Sequence, residues 1–593
     1  MDFKDYIAKN TKNFILKNYQ VEFPSDKIQI SPTKTEFIGD FTIVCFPFVN
    51  ITKKSPDITA QEIGKYLIEN CEFITDFNVI KGFLNIVFDP KVWTNFVNLN
   101  TENPNFGFAI NEKTEKIVLE YSSPNTNKPL HLGHIRNNLL GFSLSRILTS
   151  QGHHVVRTNL INDRGIHICK SMLAWLRFGN GETPQSSGLK GDHLIGKYYV
   201  LFDVEYKKQQ KELIETGYTD EKAAKEAPII KEAQEMLRKW EAGDTETISI
   251  WKKMNEWVYD GFDKTYQRLG IEFDKIYYES ETYKLGKKIV EEGIEKSIFA
   301  KKEDGSVWID LSNDGFDEKL LLRADGTSVY MTQDMGTALL RGEEYMPDKM
   351  IYVVGNEQNY HFDVLKLILD KKMKYDWGKS IFHLSYGMVE LPSGKMKSRE
   401  GTVVDADNLM EDMVDIAKKQ TIELGKIDQF DNQQALALYE MIGIGALKYF
   451  ILKVDPKKNM LFDPEKSIDF NGNTASFIQY THARISSLIA KASNENLHNN
   501  TPSNLETIEI ELIKNLYHFP SVTNEAAKNY SPALIANYTF DLAKKFNQFY
   551  HEIPVIKEEN SDKKIFRLKL CKLTAITIKN GMWLLGIDVP DRM

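Results

Sequence analysis

Between about residue 109 and residue 410, short apolar runs alternate with stretches of helical spacing. Runs rich in β-branched and aromatic residues predict buried strands, and they cover residues 116–121, 155–161, 306–311, 349–354 and 382–387. After the first run, apolar residues recur every three or four positions, which predicts a helix. Strands that alternate with helices are typical of a doubly wound parallel sheet. The pattern therefore predicts a multidomain α/β protein with such a sheet in its central domain.

The pattern before this central region is different. Residues 1–107 begin with an amphipathic helical pattern and continue with strand-like runs at 41–48 and 83–88. A turn-rich stretch at 103–108 marks the junction to the next domain. We therefore predict an N-terminal α+β domain.

The central domain, 108–410, contains an insertion, and helices follow the domain. The insertion, at about 175–265, is rich in charged residues and predicts solvated helices. From about residue 411 strand patterns fade and helical periodicity dominates. We divide this part into a helical region, 411–470, and an all-α bundle, 471–593.

Composition narrows the class of protein without fixing its function. A chain of 593 residues needs several cores, and 42% hydrophobic with 27% charged residues is ordinary for globular domains. The net charge of −8 argues against a uniformly basic nucleic-acid binder but leaves room for a local basic face. The four cysteines form no CxxC pair, and neither a signal peptide nor a membrane-spanning run is present. We expect a soluble, cytoplasmic protein without a structural metal site or membrane association.

The stretch YSSPNTNKPLHLGHIRNNLL, residues 121–140, joins the first central strand to its helix. Backbone N–H groups and the helix dipole at such a junction favour a phosphate group. His131 and His134 add hydrogen-bond donors, and Gly133 lets a flat ring approach the backbone. Two histidines at this spacing are more often surface residues, so the prediction of a nucleotide triphosphate site needs a second motif.

A second motif, SGKMKSREGT at residues 393–402, follows the last central strand. Basic side chains on a glycine-flanked loop can stabilise pyrophosphate as charge develops during displacement at the α-phosphate. Alone, this loop would be a solvated turn. A full α/β domain separates it from the HLGH block, and the combination predicts a nucleotidyl-transfer site.

The two motifs together resemble those of a known family. HLGH is similar to the HIGH signature of class I aminoacyl-tRNA synthetases, and SSPNTNKPLHLGHIR resembles the arginyl enzymes in particular. The second loop resembles the KMSKS signature, except that Ser398 stands at its second lysine position and Lys397 comes one place early. Many arginyl enzymes lack that lysine, and a lysine before the HIGH block, here Lys128, substitutes for it. The resemblance implies a Rossmann-like catalytic domain with Lys128, His131, His134 and Lys395 as catalytic residues, and His131, Gly133, His134, Lys395, Met396, Lys397 and Ser398 as ATP-binding residues.

Tyr330 and Asp334 match the family's YxTxD block and are predicted to share one helical face. A phenol and a carboxylate suit the planar N–H donors of a guanidinium group. The alternative is that Asp334 is a solvated helix-surface acid. The resemblance implies that Glu279 supplies a second acid and that Glu120, Asn125 and Gln358 hold the backbone end of arginine. For His361, a structural role remains open.

The resemblance also implies how tRNA is bound. The N-terminal domain would bind the tRNA elbow, with Phe83 as a stacking platform and Asn85 as a reader of a base edge. Phe83 could equally belong to the core. The region 411–470 would contact the stem, and Tyr480 and Tyr550 in the C-terminal bundle would stack on anticodon bases, although aromatic residues in helical bundles are usually core.

The resemblance therefore implies ATP-dependent activation of L-arginine and its transfer to the 3′ end of tRNA(Arg). ATP would be a substrate accompanied by Mg²⁺, and we expect a monomer. The insertion is too short for a separate editing domain of ~150 residues. Two alternatives remain open. A stand-alone HxGH nucleotidyltransferase would not need the helical domain, and a silent tRNA-binding paralogue would be expected to have lost His131, His134 or Lys395.

Overall fold

The computed structural model describes residues 3–34, 36–109, 114–390, 404–425, 430–495, 502 and 504–593. Lys395, Met396, Lys397 and Ser398 of the KMSKS-like loop lie outside the described residues. The chain forms two compact units. The first comprises Met1–Pro104, Ile489–Tyr517 and Gln548–Thr574, and the second comprises Asn105–Leu488, His518–Asn547 and Ala575–Met593. The domain ranges given above stay a prediction.

The first unit contains an antiparallel sheet with helices, as expected for an α+β region. Its elements between residues 3 and 100 are α1 (Phe3–Tyr19), β1 (Ile30–Pro32), β2 (Phe41–Val44), α2 (Val49–Thr52), α3 (Pro56–Asn70), β3 (Ile74–Ile80), β4 (Phe83–Phe88) and α4 (Pro90–Asn100). The strand order is β1-β2-β4-β3. Phe3 lies at the centre of the aromatic core, with ring centroids 5.0 Å from Tyr517 and 5.6 Å from Trp93.

A five-stranded parallel sheet forms the centre of the second unit. Its strands and the helices beside them are β5 (Lys116–Glu120), α5 (Leu132–Ser150), β6 (His154–Ile161), α6 (Ile166–Phe178) and, after the insertion, β7 (Lys275–Tyr278), α12 (Glu279–Thr282) and α13 (Leu285–Glu295). The later elements are β8 (Ala300–Lys301), β9 (Val307–Ile309), β10 (Lys319–Leu322), α14 (Tyr330–Tyr345), β11 (Lys349–Gly355), α15 (Asn359–Lys366), β12 (Ile381–Tyr386) and β13 (Val389–Glu390).

The strand order β12-β11-β5-β6-β7 is that of a doubly wound sheet. In chain order, the first strand, β5, lies at the centre, the next two extend to one side, and the last two extend to the other. The connections therefore change from one side of β5 to the other, and the switch point lies between the neighbouring strands β5 and β11. In open α/β sheets, ligands bind at this switch point, beyond the carboxyl ends of the strands. The predicted fold class is confirmed.

One strand assignment was wrong and one strand was missed. The run 306–311 was expected in the parallel sheet, but β9 pairs with β8 and β10 in a separate antiparallel sheet. An apolar run predicts a strand without specifying which strand it pairs with. The edge strand β7 has only four residues, Lys275–Tyr278, too few for a clear pattern.

The insertion is helical, as predicted. It consists of α7 (Pro184–Ser187), α8 (Gly191–Glu215), α9 (Asp220–Glu226), α10 (Pro228–Glu241) and α11 (Thr245–Arg268). A Cβ atom at Gly191 would lie 1.9 Å from the backbone oxygen of Trp257, so α8 and α11 approach each other closely there. The insertion thus packs as an ordered helical layer.

Helices dominate after the sheet. They are α16 (Ala406–Glu423), α17 (Asn432–Leu452), α18 (Pro464–Ser467), α19 (Ala475–Lys491), α20 (Thr507–Lys528), α21 (Pro532–Glu552) and α22 (Ser561–Leu584), with a short β14 (Met460–Leu461) paired with β13. By length and composition α17 could cross a membrane. However, 67% of its most apolar window is buried, as in a core helix of a soluble protein.

Candidate active site

A cavity of about 640 Å³ opens at the switch point of the parallel sheet. Glu120 ends β5, and its partner in the register is Tyr352 of β11. Both line the cavity. The wall of this cavity contains most of the predicted site residues that the structure describes. They are Glu120, Lys128, His131, Gly133, His134, Tyr330, Asp334 and Gln358. Asn125 and Glu279 lie outside the wall.

The turn after β5 adopts an unusual backbone conformation. Ser122 and Ser123 have φ angles of 85° and 52°, in the left-handed region that few residues other than glycine adopt. Asn137 of α5 accepts a hydrogen bond from the Ser122 backbone N–H over 2.6 Å, and Asn159 of β6 accepts one from Ser123 over 2.9 Å. The Asn137 amide also donates to the backbone oxygen of Val353 in β11. These amides fix the turn that begins the site.

Asn137 and Asn159 were not predicted as site residues. Asn137 lies in the block 121–140. An asparagine among the apolar residues of this helix was the feature of the sequence that could have indicated a role in the site. Asn159 is a fully buried asparagine within the predicted strand 155–161. A polar residue inside such a run needs hydrogen-bond partners once it is buried.

Backbone N–H groups fix the tautomers of both histidines at the start of α5. The Gly133 N–H donates to Nδ1 of His131 over 3.1 Å, and the His131 N–H donates to Nδ1 of His134 over 3.2 Å. A ring nitrogen that accepts a hydrogen bond carries no proton, so the proton of each neutral ring is on Nε2. Each imidazole can therefore donate one hydrogen bond from Nε2 to an anion.

Both imidazoles are neutral at physiological pH. Burial lowers the pKa of His131 to about 4, with a smaller contribution from Lys128. Burial likewise lowers the pKa of His134 well below its usual value. Burial also lowers the pKa of Lys128, which lines the same cavity. The histidines thus act as hydrogen-bond donors, and Lys128 carries the positive charge.

The expectation about backbone donors at this helix needs correction. The Leu132 N–H donates to the backbone oxygen of Val404 over 3.1 Å, and the Gly133 N–H is bound to His131. These two groups of the first helical turn are therefore satisfied within the protein. A phosphate at this point would bind the imidazole Nε2–H groups and Lys128 instead.

Asp334 lies next to Tyr330 on α14, as the spacing predicted, and its partner is His361. Nε2 of His361 donates to the Asp334 carboxylate over 2.6 Å. Burial raises the pKa of Asp334, while the hydrogen bond from His361 lowers it. Tyr330 is 58% exposed as a whole residue, and the charge of Asp334 raises the pKa of its phenol. Because Asp334 is largely buried against the cavity, the alternative of a solvated surface acid does not hold.

Glu279 lies close to this pair. Burial raises the pKa of Glu279 to about 7, and the charges of Asp163 and Asp334 act in the same direction. Nη1 of Arg164 lies 4.0 Å from its carboxylate and opposes the shift. Asp163 fixes the adjoining helix, because it accepts hydrogen bonds from the backbone N–H and hydroxyl of Ser280 over 2.8 and 2.7 Å. Glu279 is thus held within electrostatic range of Asp334.

The carboxylate of Glu120 forms a buried ion pair with Arg341, a residue that was not predicted for the site. Nη1 of Arg341 contacts Oε2 of Glu120, and the Ser123 hydroxyl donates to Oε1 over 3.1 Å. The guanidinium is fully buried between the rings of Tyr277 and Tyr352, at 4.8 and 5.7 Å. Arg341 therefore fixes the orientation of Glu120 from behind the cavity. Asn125, in contrast, is exposed and bridges to Asn162, which lines the cavity.

Phe83 and Asn85 line a separate cavity of about 270 Å³ within the first unit. Phe83 is 41% exposed and packs edge-on against Phe46 at 5.6 Å, so it is not a core residue. Asn85 is buried. Its amide oxygen accepts from Thr42 over 2.6 Å, and its amide nitrogen donates to Asn78 over 2.9 Å. These two bonds use one lone pair of the Asn85 oxygen and one N–H of its amide nitrogen. The amide has a second lone pair and a second N–H beyond those two bonds.

The other predicted tRNA-binding residues lie on two helices. Tyr480 belongs to α19, where the guanidinium of Arg484 lies 4.8 Å from its ring. Tyr550 belongs to α21 and is 39% exposed. Each ring thus lies at or near a helix surface.

Two family models match most of the chain. Residues 98–463 match the model described as "tRNA synthetases class I (R), catalytic domain". Residues 478–593 match the "DALR anticodon binding domain". The first match contains the switch-point cavity with both histidines, and the second contains Tyr480 and Tyr550.

Full-length relatives give the same result. The chain is 54% identical to the arginine–tRNA ligase of Bacteroides thetaiotaomicron over 598 residues, covering 100% of both chains. It is 55% identical to that of Parabacteroides distasonis over 580 residues, covering 97% of both. The solved arginyl-tRNA synthetase of Thermus thermophilus shares its fold, with a TM-score of 0.80 at 22% identity and 100% coverage of both chains. From these matches and the geometry of its site, the chain belongs to the arginine–tRNA ligase family of class I tRNA synthetases.

Proposed function

We propose that this chain ligates L-arginine to tRNA(Arg) at the expense of ATP. The arginine carboxylate attacks the α-phosphorus of ATP, which forms arginyl-adenylate and releases diphosphate. The 2′-hydroxyl of the terminal adenosine then attacks the carbonyl carbon of the adenylate and releases AMP. One observation carries the proposal: a single cavity combines neutral imidazole donors and a lysine with the carboxylates of Glu120, which is buried, and Asp334, which is largely buried.

The phosphate side of the cavity suits ATP. His131 and His134 offer Nε2–H donors that burial keeps neutral, and Lys128 offers a cation. Such groups are already in position when negative charge develops on the departing diphosphate, so they lower the barrier without reorganisation. ATP would enter as its Mg²⁺ complex. Lys395, Met396, Lys397 and Ser398 are proposed as further ATP contacts from the resemblance alone.

The acidic side suits arginine. We infer that Asp334 and Glu279 bind the guanidinium together with the phenol of Tyr330. Glu120 and Gln358, with Asn125 at the edge of the site, would hold the α-amino and carboxylate end. Arg341 supports this role for Glu120, because a fixed carboxylate can receive an ammonium group without rotation. No side chain acts as a nucleophile, and catalysis is by positioning and electrostatics.

The tRNA would be bound at both ends of the chain. The exposed ring of Phe83 beside a small cavity offers a stacking surface for an unpaired base. The match of residues 478–593 to the DALR domain supports anticodon binding there, with Tyr480 and Tyr550 as stacking residues. The four cysteines are free and buried, which supports a reducing, cytoplasmic location. We also propose that the enzyme works as a monomer.

The test is tRNA-dependent ATP–diphosphate exchange with each of the twenty amino acids in turn. We expect exchange with arginine and transfer of arginine to tRNA(Arg) only. The site leaves buried acids unpaired when a substrate lacks a guanidinium, and this penalty supports discrimination without editing. Exchange with another amino acid, or none with any, would overturn the proposal. Light scattering of the same preparation tests the monomer.

A further inference from the structure

Five charged side chains cluster beside the entry to α5, and the predicted site included none of them. Lys190, Asp192 and His193 lie at the start of α8, and Asp405 and Asp407 at the start of α16. Nζ of Lys190 contacts the carboxylate of Asp407 and lies 3.2 Å from Asp192. Nε2 of His193 lies 2.9 Å from Asp407 and 3.3 Å from Asp405. The cluster therefore joins the helical insertion to residues 405–407.

The chain at 404–406 is in turn bonded to the backbone around the first histidine. The Leu132 N–H donates to the oxygen of Val404 over 3.1 Å, and the Ala406 N–H donates to the oxygen of Leu130 over 2.9 Å. Between these bonds, His131 and Asp405 form an antiparallel bridge. Both backbone neighbours of His131 are thus held by the chain that carries Asp405.

We propose that this cluster is a positioning device for His131. In this arrangement the insertion holds Asp405 and Asp407 by ion pairs, and the bridge from Asp405 fixes the imidazole that binds the ATP phosphates. Lys190 and His193 are then positioning residues for the activation of arginine by ATP, although neither lines the cavity. The inference rests on the proposed function, because it assigns a role in that reaction.

The packing around the cluster is tight enough for this role. Thr265 of α11 donates to Asp407 over 3.0 Å and accepts from Lys190 over 2.6 Å. A Cβ atom at Gly261 of α11 would lie 2.4 Å from Oδ1 of Asp192, so that helix packs directly on the cluster. Side chains held in this way transmit a displacement instead of absorbing it.

The charges favour ion pairing within the protein over a bound metal. Asp192, His193 and Asp407 bring possible ligand atoms within 4.8 Å of one another. However, the ammonium group of Lys190 already lies against two of these carboxylates and offsets part of their charge. A divalent cation would have to displace it.

Protonation of His193 strengthens the cluster. The hydrogen bond to Asp407 raises the pKa of His193, and Asp405 and Asp192 add to this effect, while burial and the charge of Lys190 oppose it. Burial opposes ionisation of Asp407, but its bonds to His193 and Lys190 lower its pKa to about 2. With His193 protonated, two cations face three carboxylates, and deprotonation leaves only Lys190. The ion pairs are therefore complete below the raised pKa of His193 and weaken as the pH rises through it.

The first experiment measures ATP–diphosphate exchange with arginine and tRNA in the full-length protein. We expect Lys190→Met to lower kcat/KM for ATP by about 10- to 100-fold, the scale for a displaced catalytic group. The KM for arginine should change less than about twofold, and Lys190→Arg, which keeps the positive charge in a larger side chain, should restore part of the loss. The matched control is Lys197→Met. Lys197 is on the same helix, pairs with Glu182 over 2.8 Å and has a 49% exposed side chain, so its loss should leave ATP kinetics unchanged.

Normal ATP kinetics in Lys190→Met, or an equal loss in Lys197→Met, would overturn the positioning role. If Lys190→Met fails to give a cooperative thermal melt, the nearly isosteric Asp407→Asn replaces it, with the same expectations. A wild-type protein without arginine-dependent exchange would overturn the proposed function itself, so the two failures are distinguishable.

The second experiment follows pH, because a merely structural cluster would not change ATP kinetics with pH. We expect the wild-type KM for ATP to rise as the pH increases through the raised pKa of His193 and the imidazole loses its proton. His193→Gln keeps a hydrogen-bond donor without a charge, so its KM should be high and independent of pH. A parallel rise in both proteins would place the titrating group elsewhere and overturn the role of His193.

Discussion

His361 donates a hydrogen bond from Nε2 to the carboxylate of Asp334 over 2.6 Å, and the ring of Tyr330 lies 4.8 Å from the imidazole. The bond occupies one lone pair of a carboxylate that has about four, so further acceptor sites remain for a guanidinium. It also orients the carboxylate before substrate arrives. We therefore propose that His361 supports Asp334 in binding the guanidinium.

The first prediction concerns Asp334→Asn, which keeps the shape but removes one negative charge. Losing one member of a buried, charge-assisted pair costs about 2–5 kcal/mol. We therefore expect kcat/KM for arginine to fall by roughly 10²-fold or more, since about 1.4 kcal/mol is tenfold. Aminoacylation of tRNA(Arg) at varied arginine measures this change. The KM for ATP should remain the same, and citrulline, an uncharged analogue, should be discriminated against less strongly.

The matched control is Glu343→Gln, an acid exposed on the same helix. It removes the same charge without touching the cavity and should leave arginine kinetics unchanged. Wild-type arginine kinetics in Asp334→Asn would contradict the assignment of the guanidinium pocket.

A second prediction concerns the pH dependence of arginine use. The pKa of Glu279 is raised to about 7, so the carboxyl group is protonated below that pH and ionised above it. A guanidinium binds the ionised form better, and kcat/KM for arginine reports titration of the enzyme form that is present before arginine binds. At saturating ATP, kcat/KM for arginine should rise between about pH 6 and 8. In Glu279→Gln the rise should disappear, and a profile identical to that of the wild type would show that another group titrates.

The third prediction tests Lys128 as the substitute for the second signature lysine. Removing one group that stabilises transition-state charge costs about 10²-fold or more in rate, so Lys128→Ala should lower kcat by that amount with little change in the KM for arginine. Lys116→Ala is the control, because Lys116 begins β5, at the opposite end of that strand from Glu120 and the cavity. If Lys397→Ala abolishes activity while Lys128→Ala does not, the assignment of the two lysines is reversed.

The fourth prediction concerns tRNA binding by the first unit. Stacking of a base on an aromatic ring contributes about 1–3 kcal/mol, so Phe83→Ala should raise the Kd for tRNA(Arg) by roughly 5- to 150-fold. Filter binding measures the Kd, and calorimetry with ATP checks that the catalytic site is intact. Leu99, 80% exposed in the same unit, provides the control substitution Leu99→Ala. Unchanged tRNA affinity in Phe83→Ala would argue against elbow binding at this ring.

The sequence by itself determined the features that depend on neighbouring residues. Strand 116–120, the turn and the helix after it follow from local periodicity, and the histidine block lies within twenty residues. The helical spacing of Tyr330 and Asp334 also follows from local geometry. The order of alternating strands and helices predicted the doubly wound sheet, and hence a cavity at its switch point.

The tertiary structure decided which charges meet. Glu120 pairs with Arg341, Asp334 with His361, and Asp407 with Lys190 and His193. The partners in these pairs come from different elements, so no periodic pattern contains them. Burial then set the pKa values of the imidazoles and of Glu279, and it depends on everything packed around each group. Long-range packing, which brings distant charges together and excludes water from them, therefore completed a site that the sequence had outlined.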